Sequence, residues 1–141
     1  MTLEEIKDGN KLIVEYMEFP IREFTTLTGK KVMNYCALPD PLAMVGVGYE
    51  NMLLYHKDWN WIMPVVQKIN GLGKEFSFAI FKNYVSCTVE KGGKFYKDFS
   101  FSHAEYITSE QDAITAVFKL AVKFIAWENE QKRKSELQIP L

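Results

Sequence analysis

Between Phe76 and Phe101, apolar side chains recur at every second position. Phe76, Phe78 and Ile80 are separated by Ser77 and Ala79, and Val85, Cys87 and Val89 by Ser86 and Thr88. Phe95, Phe99 and Phe101 continue the pattern, with Lys97 as its odd member. Successive residues of a strand point to opposite faces, so each run has one apolar side. Lys82-Asn83 and Lys91-Gly92-Gly93 supply the turns between the runs. The spacing predicts an antiparallel meander with one face that must be covered by helices. Tyr84, Ser86, Thr88, Tyr96, Ser100 and Ser102 fall on the other face. That face is either a solvated surface or a floor of hydroxyls and phenols for a ligand.

Three segments can supply the cover. Thr2 and Glu5 fit a capping box, and a helix follows to about Met17, with Ile6, Ile13 and Met17 on one face. Gly9 weakens its middle, so the regular part is expected from about Asp8. Phe19-Pro20 ends it. A second helix starts after Asp58, whose carboxylate can accept from the first free amides. Trp59, Ile62, Val66 and Ile69 make its apolar face, which puts Trp59 in the core and leaves Trp61 for a ligand wall. Pro64 sits near the start, where a missing amide costs little, and Gly71 is expected to supply a left-handed C-terminal turn. The third helix opens at Thr108 or Ser109 and runs to about Lys134. Ile114, Val117, Phe118, Leu120, Ala121, Phe124, Ile125 and Trp127 make it apolar over most of its surface. A helix of that kind is covered on more than one side, by another helix or another subunit.

Residues 21 to 55 are less regular. Ile21 to Thr28 and Lys31 to Leu38 suggest short strands joined by Thr28-Gly29-Lys30, with a turn at Pro39-Asp40-Pro41. Gly46-Val47-Gly48 lacks the third glycine of a dinucleotide fingerprint and reads as a mobile loop. Asn51 to His56 reads as a short extended lead into the second helix. The fold class expected is α+β: a single domain over 1–141, with about 135–141 as a loose tail. Its architecture would be an α-β-α sandwich, the meander covered by about three helices.

Charge and composition narrow the function. The net charge is −1, so no global field attracts nucleic acid or an anionic membrane. Cys36 and Cys87 sit in no metal-binding or redox spacing and read as buried thiols. No apolar run reaches membrane-spanning length and no signal peptide stands at the start, so a soluble, cytoplasmic protein is expected. His56 and His103 are the only imidazoles, and neither lies in a nucleophile or zinc signature. No catalytic residue, metal or cofactor is therefore assigned. His56 and Asp58 also have a plain structural role available, as a backbone-bonded imidazole and a helix cap.

The stretch from Tyr55 to Ile69 and the stretch from Ala113 to Trp127 together resemble small phage and prophage proteins with the phage ABA sandwich domain. Asn10 to Met17 fits the same pattern, and residues 20 to 54 depart from it in being longer and more strand-like. The resemblance implies an α-β-α layering and a phage or prophage origin. It transfers no catalytic motif. Small phage proteins without one often act against host defence, and some sequester nucleotide-derived immune messengers. Such a protein needs aromatic walls for a base, with hydroxyls and a few cations for ribose and phosphate. Tyr55, His56, Trp61, Tyr84, Lys94, Tyr96 and Lys97 are the expected ligand-binding set, with the Gly46 to Gly48 loop closing over them. The expected partners are a small nucleotide-like ligand and further copies of the chain. The alternatives are a protein–protein module that blocks a host partner, and an enzyme that degrades the same messenger.

Overall fold

A computed structural model describes residues 1–18, 21–25, 27–29, 31–35, 48–49, 53–90 and 99–137. The fold is α+β, as the sequence predicts. In chain order it runs α1 (Leu3–Tyr16), β1 (Ile21–Thr25), β2 (Lys31–Tyr35), β3 (Gly48–Tyr49), α2 (Trp59–Asn70), β4 (Phe76–Ile80), β5 (Tyr84–Glu90), β6 (Phe99–Tyr106) and α3 (Ala113–Leu137). The chain divides into two compact units, Met1–Val65 and Val66–Leu141. No helix among the described residues is long and apolar enough to cross a membrane.

In the first unit, Thr2 caps α1 by accepting the Glu5 amide at 3.1 Å. The helix begins at Leu3, ahead of the Asp8 start expected from Gly9. Gly9, Asn10, Ile13 and Val14 are its buried residues, so the glycine belongs to the packed face. Strands β1 and β2 pair antiparallel from Ile21↔Tyr35 to Thr25↔Lys31. Gly29, at φ +84°, turns the chain between them, a conformation that glycine adopts without strain. Gly48–Tyr49 pairs with Asn34 and Tyr35 of β2, so Gly48 is in a short strand and not in the expected loop. Gly46 and Val47 lie outside the described residues, as do Cys36, the Pro39-Asp40-Pro41 turn and Asn51.

The N-terminal half of α2 closes this unit. Asp58 caps it by accepting the Asn60 amide at 2.9 Å. Trp61, Ile62 and Val65 are buried, whereas Trp59 is 41% exposed. The expected roles of the two indoles are therefore reversed. Val65 belongs to the buried stripe and shifts its centre round the helix toward Trp61, which meets the Tyr55 ring edge-on at 5.1 Å.

The second unit holds the meander, in the order β4-β5-β6. The register runs Phe78↔Cys87 between β4 and β5, and Cys87↔His103 and Val89↔Phe101 between β5 and β6. Helix α3 lies against β5 and β6. Phe101, Phe124 and Trp127 form a ring cluster with centroids 5.4 to 6.0 Å apart, and Phe76 adds an edge-on contact to Phe124 at 6.1 Å. Such pairs contribute about 0.5–1.5 kcal/mol each beyond area burial. Asp112 caps α3 through the Thr115 amide at 3.0 Å. The helix cap thus falls three to four residues later than expected. Thr108 accepts the Glu110 and Gln111 amides instead, making the turn that leads in.

The end of α2 also departs from expectation. Gly71 and Gly73 do not take the left-handed conformation, which among the described glycines only Gly29 adopts. Asn70, the last residue of α2, accepts the Phe78 amide at 2.7 Å and donates to the Phe78 carbonyl at 3.0 Å. In β4, Phe78 points its backbone groups away from β5, because Glu75, Ser77 and Ala79 make the ladder bonds. The Asn70 amide therefore stands in for a neighbouring strand at the middle of that edge.

Candidate ligand-binding site

Two groups of side chains bear on function. The first lies at the start of α2. Asn10, 2% exposed, accepts the Tyr55 amide through Oδ1 and places Nδ2 3.0 Å from His56 Nδ1. The backbone donor fixes the orientation of the amide, so Nδ2 donates and His56 Nδ1 accepts. This holds the His56 proton on Nε2. Burial, and then the charge of Lys57, lowers the pKa of this imidazole from its ordinary value. Tyr55 is 1% exposed, and burial raises its phenol above the ordinary range. The Tyr55 hydroxyl has no hydrogen-bond partner among the described residues. Of the ligand-binding set expected here, Tyr55 and Trp61 are buried with their rings edge-on to each other, and His56 is tied to Asn10. The rings of Tyr55 and Trp61 therefore present no open face to a ligand.

The second group lies at one end of the meander. Phe81 and Tyr84 flank the Lys82-Asn83 turn, and the Phe81 amide donates to the Tyr84 carbonyl at 2.8 Å. Their rings stack at 4.8 Å with 26° between planes. Tyr106 is the register partner of Tyr84 on β6, and its ring lies 6.3 Å from that of Tyr84. All three are exposed: Phe81 by 47%, Tyr84 by 38% and Tyr106 by 65%. Further along the same face, Ser86 pairs with Ala104 and Thr88 with Ser102. Stacked rings thus lead into a row of hydroxyls, with the exposed Lys82 at the turn. Tyr84 was expected at such a site. Phe81 and Tyr106 were missed, and the alternation continuing through Ser102, Ala104 and Tyr106 was the available signal. Lys94, Tyr96 and Lys97 lie outside the described residues.

Chemistry has little footing in either group. The register sets His103 opposite Cys87. The thiol is fully buried, however, and burial pushes its pKa up to about 12, so a nucleophilic thiolate is not formed near neutral pH. The His103 ring packs against Phe101 at 4.6 Å. Glu105 is held by Lys123 at 2.6 Å and by Gln111 at 3.3 Å, and Gln111 also accepts from Lys119. Burial opposes ionisation of Glu105, but these donors outweigh it and keep its pKa low. Glu105 therefore serves as an anchor between β6 and α3. Among the described residues, no three His, Cys, Asp or Glu side chains come together as a metal site. No family model, curated protein or solved structure matches the chain.

Proposed function

We propose that this chain is a binding protein that holds a nucleotide-derived ligand without making or breaking a bond. The observation that carries the reading is the exposed ring group Phe81, Tyr84 and Tyr106. Flat rings left in water on a sheet face favour stacking on a base, which contributes about 1–3 kcal/mol per base. Ser86, Thr88 and Ser102 supply hydroxyls for ribose, and Lys82 a cation for phosphate. In the phage setting that the sequence resemblance implies, this is a sponge for an immune signalling molecule. Calorimetry with cyclic ADP-ribose variants, ADP-ribose and cyclic dinucleotides tests it. One of them is expected to bind, and Tyr84→Ala to weaken it roughly 5- to 150-fold. Heat-denaturing the complex should return the ligand intact, whereas a degraded product would mean an enzyme. No binding at micromolar concentration would refute the sponge.

A second reading is a protein–protein module. It is favoured by the same exposed rings, Phe81, Tyr84 and Tyr106, which lie side by side as a patch on one face of the sheet. Under that reading a host protein co-purifies with the wild type and is lost with Tyr84→Ala.

A further inference from the structure

The two edges of the meander differ. On β4, Asn70 occupies the outward backbone groups of Phe78. On β6 the ladder to β5 uses the odd-numbered residues, as the Ile107 amide bond to Asn83 continues it. The N–H and C=O groups of Ser102, Ala104 and Tyr106 therefore point outward. Among the described residues, the only group that meets them is Gln111, which donates to the Tyr106 carbonyl at 2.9 Å. Ser102, His103, Ala104 and Tyr106 are all exposed. A row of open donors and acceptors is a template for another strand.

We propose that β6 pairs antiparallel with β6 of a second copy, about a twofold axis at Ala104, to give one continuous sheet. The side chains select this register. With Ala104 facing itself, a small side chain sits at the centre, and His103 lies across from Glu105 of the second copy on the helix-covered face. Phe101 then meets Ile107 of the second copy, and Ser102 meets Tyr106. Imidazole opposes carboxylate and apolar opposes apolar, which is the favourable case for cross-strand neighbours. Moving the axis one residue, to His103, would set imidazole against imidazole and Phe101 against the Glu105 carboxylate. That register sets like rings together at its centre and an apolar ring against a carboxylate two residues away. Pairing at Ala104 also extends the candidate site. Tyr106 of each copy stands beside Ser102 of the other, so the rings of one copy continue into the hydroxyls of the second. This last step rests on the binding reading above; the pairing does not.

Sedimentation and cross-linking test the pairing without any ligand. The wild type is expected to sediment as a dimer, and Ala104→Pro, which removes an outward amide, as a folded monomer. In a Cys36→Ser background, Ala104→Cys should form an interchain disulfide under mild oxidation. Facing residues of a hydrogen-bonded antiparallel pair lie about 5.5 Å apart at Cα, within disulfide reach. His103→Cys should not cross-link. A monomeric wild type at every concentration, or cross-linking at His103→Cys in place of Ala104→Cys, overturns the inference. If Ala104→Pro does not fold, the cross-linking pattern decides alone. A dimer that binds no nucleotide would refute the binding reading and leave the pairing standing.

Discussion

One amide illustrates how much a single residue can hold. Asn10 satisfies a buried backbone donor and fixes the His56 tautomer at once. Asn10→Ala would leave the Tyr55 amide without its partner, at a cost of about 1–3 kcal/mol by urea denaturation. Stability should also depend on pH through His56. Its folded-state pKa is lowered, so the unfolded chain binds more protons in this range. The contribution is present above the ordinary value of about 6.5 and is lost as pH falls through the lower folded-state pKa. Denaturation midpoints measured from pH 7.5 downward should drop over that window, and His56→Gln should flatten the drop. The sequence offered His56 as a ligand group. It could not reveal Asn10 as the partner, because the two are 46 residues apart and meet only in the folded unit.

Elements were more legible than partners. Thr2 and Asp58 cap helices where their hydroxyl and carboxylate stand, because capping is a local bond that spacing reveals. The alternation of Val85, Cys87 and Val89 reports burial directly, since all three are inside. The start of α3 was misplaced because Thr108 and Asp112 can each cap a helix, and proximity to Glu105 and Tyr106 decides between them through Gln111. The face of α2 was ambiguous for a similar reason: Trp59 and Trp61 flank the same apolar stripe, and only contact with Tyr55 draws one of them in. Asn70 was not legible at all, because its role appears only when β4 arrives beside it. Asn70→Ala removes two hydrogen bonds from the β4 edge. It should cost about 1–3 kcal/mol in thermal or chemical unfolding, and amides of β4 should exchange faster than those of β5.

At the scale of the whole chain, the boundary between the two units falls inside α2. Ile62, Val65, Val66 and Ile69 are all buried, and the boundary cuts the 12-residue helix near its middle. Helices much shorter than about 12–15 residues are marginal in water. Expressed separately, 1–65 and 66–141 should each lose the helical signal of α2, and the two far-ultraviolet spectra should sum to less helix than the intact chain. Native-like helicity in both pieces would contradict this. The exposed rings of Tyr84 and Tyr106 and the buried rings of Phe101 and Phe124 had the same appearance in sequence, as members of alternating or helical runs. The side of the sheet that α3 covers separates them. The Asn70 clasp has a consequence for assembly as well. In the pairing proposed above, a sheet clasped at Phe78 on one border and joined through β6 on the other ends with two copies. Removing the Asn70 amide would take away that chain-stopper, and a dimer joined as proposed would gain access to open-ended fibres.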